Sequence, residues 1–143
     1  MKIIISAALA LFCASVVYGE ASPPITESNL KCGDQVYHRC RRAINVFNAC
    51  TEGKDRNNLS YSDIICQYHK LDLIKNGEFD VDKAKEILKR DFTQHHEALS
   101  KELCECFKAR KGGATPETTQ ACILNAYEKV CGHKTLDWFN TVD

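Results

Sequence analysis

Apolar residues recur along most of this chain at the three- and four-residue spacing of helices buried on one face. Within 33–50, Val36, Cys40, Ala43, Phe47 and Cys50 advance by 4, 3, 4 and 3 positions, with Arg39, Arg41, Arg42 and Asn45 around the rest of the turn. A polar break follows over 51–59. Ser60, with Asp63 three residues on, then resembles a helix start with a carboxylate in its first turn, where the helix dipole favours it. Tyr61, Ile64, Ile65, Tyr68, Leu71 and Ile74 form the apolar side of that helix, and Asn76-Gly77 reads as its C-terminal cap pair.

Asp80 reads as the next N-cap. From it Val81, Ala84, Leu88, Phe92, His95, Leu99, Leu103 and Cys106 step by 3, 4, 4, 3, 4, 4 and 3. So steady a period implies one long helix, or two collinear ones broken near 91–94, ending at Lys111-Gly112-Gly113. Thr115 followed by Pro116 is a strong helix start. Ala121, Cys122, Leu124 or Ile123, Ala126, Tyr127 and Val130 make that helix's buried side, and Gly132 closes it. Leu136, Trp138, Phe139 and Val142 form a short apolar tail expected to dock on the body. No run alternates as a strand would. The class is all-α, a compact disulfide-stapled bundle of about five to six helices, able to keep a small-ligand cavity.

The N-terminus reads differently. Met1-Lys2 precedes an almost unbroken apolar run over 3–17, and Val17-Tyr18-Gly19 offers a cleavage site. Residues 1–19 are a secretory signal peptide in this reading, residues 20–31 a loose arm, and residues 32–143 a single disulfide-rich helical domain. No later segment is apolar enough to span a membrane. Cleavage removes Cys13 and leaves Cys32, Cys40, Cys50, Cys66, Cys104, Cys106, Cys122 and Cys131. An even count in a secreted, extracellular chain implies four disulfides, whose pairing the sequence leaves open. Cys104 and Cys106 point about 200° apart on a helix, so each must reach a different element. Cys122 and Cys131 lie on opposite sides of theirs.

The 143 residues carry 19 Lys+Arg against 19 Asp+Glu, a balance that argues against a nucleic-acid binder. Nothing in the sequence calls for a cofactor, and no constellation supports an enzyme. There is no Gly-x-Ser-x-Gly elbow and no phosphate-binding glycine loop. His95-His96-Glu97 lacks metal-ligand spacing and reads as a solvated helix face, with a metal site completed by His69 in space as the sharper alternative. Arg39, Arg41 and Arg42 read as a charged outer face, with an anionic surface or polymer as the sharper alternative. Asn58-Leu59-Ser60 is a glycosylation acceptor pattern at Asn58.

The segment from Cys66 through Lys70-Leu71-Asp72-Leu73 and Gly77 to Val81 resembles the stretch after the third cysteine of insect odorant-binding proteins. Cys122-x8-Cys131, with Ala126-Tyr127 inside it, is similar to that family's fifth and sixth cysteines. Ser62 stands where the family's second cysteine would fall, and that loss is similar to the D7-like salivary branch. The resemblance implies an interleaved pairing, with Cys32 or Cys40 joined to Cys66 and Cys104 or Cys106 to Cys131. It also implies a secreted carrier or scavenger of a small apolar or amphiphilic ligand: an odorant, a pheromone, or a host mediator such as an eicosanoid or biogenic amine. Phe47, Tyr68, Leu73, Phe92, Leu99, Phe107, Tyr127, Trp138 and Phe139 are the candidate lining; most of them must serve as core in a domain this small, an unspecified subset could face a cavity, and within the resemblance the last two form a tail that closes the pocket. A hydroxyl of Tyr68 or Tyr127 would orient a neutral ligand. An amine would need an inward carboxylate, for which Asp72, Asp91, Glu128 and Asp137 are the candidates. The competing class is a salivary or venom effector that binds a host protein or an anionic polymer through its surface.

Overall fold

Five helices carry the fold of the computed structural model, which describes residues 21–135 and 141–142. They are α1 (Arg41–Thr51), α2 (Tyr61–Lys70), α3 (Val81–Asp91), α4 (His96–Lys111) and α5 (Pro116–Cys131). The chain is all-α in class. α4 packs against both α3 and α5, while α2 bridges α1 and α5. The facing stripes of α2 to α5 meet in one core that contains Ile64, Tyr68, Leu88, Leu99, Leu103, Ile123 and Tyr127, while α1 packs Ile44 and Phe47 on Ile25 in a smaller one.

The helix ends follow local chemistry. Asp80 caps α3 by accepting from Lys83 N–H at 3.0 Å, and Thr115 caps α5 by accepting from Thr118 N–H at 3.1 Å. Gly132 ends α5 with φ +76°, a conformation that costs glycine no steric strain. The long stripe is two helices. Phe92 ends α3, and Tyr37 pins the break: its hydroxyl hydrogen-bonds His95 Nδ1 at 2.6 Å and accepts from Gln94 N–H.

Three small antiparallel hairpins correct the expectation of no strands. The first pairs β1 (Asn29–Cys32) with β2 (Gln35–His38) around Gly33, whose φ of +57° suits a tight hairpin turn. The helix expected over 33–50 therefore begins only at Arg41. Val36 is exposed, whereas Tyr37 points into the core. The arm expected over 20–31 is not loose either where it is described, over 21–31. Leu30 is fully buried, and Asn48 holds Ile25 through both of its backbone groups at 2.9 Å. A second hairpin, β3 (Ile74–Lys75) with β4 (Glu78–Phe79), turns at Asn76 (φ +53°) and Gly77 (φ +76°). This pair is the two-residue turn of a hairpin and not the end of a helix. The third pairs β5 (Lys134–Thr135) with β6 (Thr141–Val142).

The disulfides are nested. Cys32–Cys131 joins β1 to the last residue of α5, Cys50–Cys66 ties α1 to α2, and Cys106–Cys122 ties α4 to α5. Helix α5 is thus stitched from two directions, as the cysteine spacing implied. Two expectations fail. Cys40 and Cys104 are free thiols, so the described residues hold three bridges and not four. The interleaved pairing is also absent, since Cys66 takes Cys50, and Cys131 takes Cys32. Cys104 lies on the α4 face that looks toward α3, opposite to the face from which Cys106 reaches α5.

The start of α2 carries a nearly buried charge. Asp63 accepts from Ser60 N–H at 2.7 Å to close a capping box, and it pairs with the half-exposed Lys54. Burial pushes its carboxyl up, but the hydrogen bond from Lys54, those from the Ser60 amide and hydroxyl, and the Lys54 charge outweigh burial and hold it below its ordinary value. A depressed folded value means this stability is complete above the unfolded value near ~3.9 and is lost as pH falls toward the folded one. Asp63→Asn should therefore cost about 2 kcal/mol at neutral pH, and the gap to wild type should begin to narrow below about pH 4 and go on narrowing as pH falls. Thermal melts of both proteins between pH 2.5 and 7 check this. A gap that persists unchanged at the acid end would refute it.

Candidate functional site

One groove is lined mainly by apolar side chains. Tyr68, Leu73, Phe79, Ile87, Phe92 and Tyr127 are among those that form its floor, with Leu103 beneath. Its volume is about 120 Å³, and it is partly open to solvent. The elements place these groups for local reasons. Tyr68 sits on the inward face of α2, one turn before that helix ends at Leu71. The β3–β4 turn folds Phe79 back, so that its ring lies 5.8 Å from Tyr68 and stacks on Phe107 at 3.8 Å. Phe92, at the end of α3, lies 6.3 Å from Tyr127 and meets Tyr37 edge-on at 5.1 Å.

The mouth is cationic. Arg42, Lys83 and Arg90 line it together with Cys40, Arg39 lies buried behind them, and Asp91 is the one carboxylate of the lining. Asp91 accepts two hydrogen bonds from Arg90, at 2.7 and 3.0 Å. Arg42 pairs with the exposed Asp72 at 3.2 Å, and Lys83 with Glu86 at 3.8 Å. Arg39 is buried, donates to Gln67 Oε1 at 3.2 Å and lies 5.7 Å from the Phe47 ring centre. The three arginines of the sequence cluster therefore diverge. Arg39 enters the core, Arg41 reaches the Thr26 carbonyl and Arg42 stands at the groove mouth, which overturns their reading as one outer helix face.

The two tyrosines are neutral hydrogen-bonding groups. Burial pushes the Tyr68 phenol well up, with Tyr127 adding to the rise and Arg39 partly offsetting it. Burial raises the Tyr127 phenol too, against the same arginine. Neither gives up its proton at physiological pH.

Of the nine candidate lining residues, Tyr68, Leu73, Phe92 and Tyr127 come together in the groove. Three do not line it. Phe47 packs with Ile25 and Ile44 in a separate small core, Leu99 is fully enclosed in the main core, and Phe107 backs Phe79. Trp138, Phe139 and Asp137 lie outside the described residues, as do residues 1–19. Of the candidate carboxylates only Asp91 lines the groove, already held by Arg90; Asp72 is exposed and Glu128 is half-buried on α5. Sequence reasoning missed Phe79, Ile87 and Leu103, since an apolar stripe does not show which of its members face a gap. His95 is bound to Tyr37, and His69 is exposed. Among the described residues no three His, Cys, Asp or Glu side chains converge as metal ligands would. Asn58 is exposed in a short 3-10 turn (Arg56–Asn58). Compared with family models, with curated proteins and with solved structures, the chain shows no significant match.

Proposed function

We propose that this chain is a secreted carrier or scavenger that encloses the apolar part of one small amphiphilic molecule. The observation that carries the reading is the groove, with an apolar floor of about 120 Å³ beneath a charged mouth. Ligand sites have this character, apolar walls with a few convergent polar groups. The volume falls short of the few hundred Å³ usual for drug-sized ligands, so the ligand is small. Export is supported by the three disulfides, which persist in oxidising compartments. Among the described residues no helix is long and apolar enough to cross a membrane. The proposal rests on the groove and not on the resemblance, whose interleaved bridges this chain does not form. The activity proposed is binding, with no catalytic step.

Filling the groove tests it. Ile87 is half-buried on α3 and lines the floor, so Ile87→Trp places an indole in the open space with little strain elsewhere. Calorimetry and ligand-observed NMR with 1-octanol and 2-phenylethanol should show binding to wild type and a loss of at least about tenfold in the variant. Its helical circular dichroism should be unchanged. Failure of the wild type to bind any neutral, anionic or cationic amphiphile, or equal affinity in the filled variant, would overturn the proposal.

A further inference from the structure

Resting on that reading, we infer that the groove selects a small monocarboxylate: one aromatic ring, or a chain of about six to eight carbons, bearing a single carboxylate at the mouth. Two observations carry this independently, the charge of the mouth and the size of the floor.

The charge is one-sided. Arg42, Lys83 and Arg90 stand at the mouth with Arg39 buried behind them, and the single acidic lining residue, Asp91, accepts two hydrogen bonds from Arg90. The acids paired with the other mouth cations, Asp72 with Arg42 and Glu86 with Lys83, do not line the groove. These pairs are solvent-exposed, with side-chain exposures of 66 and 75 % for Arg42 and Asp72. Exposed ion pairs contribute about 0–1 kcal/mol, so Arg42 and Lys83 can turn toward an incoming carboxylate at small cost. An ammonium at the same place would meet like charges, and the one acid within reach is held by Arg90. The geometry therefore runs against an amine.

The floor sets the size. A cavity of about 150 Å³ holds one benzene. The groove, at about 120 Å³ and partly open to solvent, holds a ring or a short chain with its head among the exposed cations. Tyr68, Phe79, Phe92 and Tyr127 give that ring aromatic walls. A chain of about twenty carbons would leave most of its apolar surface in water and gain little over a chain of eight.

The test compares isosteric heads on one tail by calorimetry at low salt: octanoate, 1-octanol and octylamine, with phenylacetate as the ring and arachidonate as the long chain. Octanoate should bind at least about tenfold more tightly than 1-octanol, and octylamine more weakly than either. Arachidonate should bind no more than about threefold more tightly than octanoate. Arg42→Gln/Lys83→Gln should cut the ratio of octanoate to 1-octanol affinity at least about threefold, and an unchanged ratio would overturn the carboxylate inference. Because charge selectivity in an exposed mouth is screened, 0.5 M salt should reduce octanoate binding to the wild type several-fold and leave 1-octanol unchanged. That measurement needs no variant. Equal binding of all three heads would overturn the carboxylate inference and leave the amphiphile proposal standing, as would tighter binding of octylamine. Arachidonate binding more than about tenfold above octanoate would overturn the size limit. No binding of any probe would overturn the proposed function itself.

Discussion

Replacing Cys32 and Cys131 together by serine should destabilise the protein more than the loss of either other bridge. The reason is the length of chain each bridge closes. Cys32–Cys131 spans 99 residues in sequence, whereas Cys50–Cys66 and Cys106–Cys122 each span 16. On the chain-entropy account a loop of about 100 residues corresponds to about 4.7 kcal/mol, and one of about 15 residues to about 3 kcal/mol. The long bridge also closes the first strand onto the last helix. It joins the first hairpin to the end of α5, where one backbone hydrogen bond, Gly33 N–H to the Cys131 carbonyl at 2.9 Å, runs beside it. Both sulfurs are buried, so the serines would enclose hydroxyls in their place. For a domain of this size we expect a fall in Tm of about 15–25 °C, against about 10–15 °C for Cys106→Ser/Cys122→Ser. Thermal melts under identical non-reducing conditions decide it. A long-loop variant as stable as the short-loop one would show that the closure of β1 onto α5 is not the main brace. Cys40 and Cys104 serve as internal controls, because serine at either free thiol should leave Tm within a few degrees.

What the sequence shows clearly is chemistry confined to four or five neighbouring residues. The caps at Ser60, Asp80 and Thr115, the proline at the first position of α5 and the glycine after it all act on adjacent backbone groups. Their outcome does not wait on tertiary structure. Signals with two local solutions are the ones that mislead. Asn76-Gly77 supplies two residues at positive φ, which suit a helix end and a hairpin turn equally, and the two-residue strands on either side are too short to announce themselves. Val36, Cys40 and Ala43 keep helical spacing by coincidence, across the boundary between β2 and α1. Bridges and groove belong to a third class. Which cysteine meets which, and which apolar residues face a gap, depends on how helices far apart in sequence lie against one another. Arg39 illustrates the point, since nothing in an Arg-rich run indicates that its first member turns inward to Gln67 while the third stands at the mouth.

Leu99→Ala should cost about 3–4 kcal/mol of stability and leave the affinity of the folded protein for octanoate within about twofold. Leu99 has the aliphatic character of a pocket residue, but its environment is that of a core. It is fully enclosed, one turn into α4, in the cluster where α3, α4 and α5 meet. Truncation there removes buried methyl groups and opens a void away from the groove lining, so the loss combines transfer and cavity terms. Leu103, one turn further along the same helix, is the informative contrast. It is also buried, but it lines the groove, so Leu103→Ala enlarges a space that already exists. That variant should lose less stability, about 2 kcal/mol, and should change affinity, improving the fit of chains longer than octanoate. Urea melts give the stabilities, and calorimetry well below each midpoint gives the affinities of folded protein. If Leu99→Ala weakens octanoate binding by tenfold while remaining folded, the division of this stripe into core at Leu99 and groove at Leu103 is wrong. If both variants lose the same stability and neither changes affinity, Leu103 does not face the ligand at all.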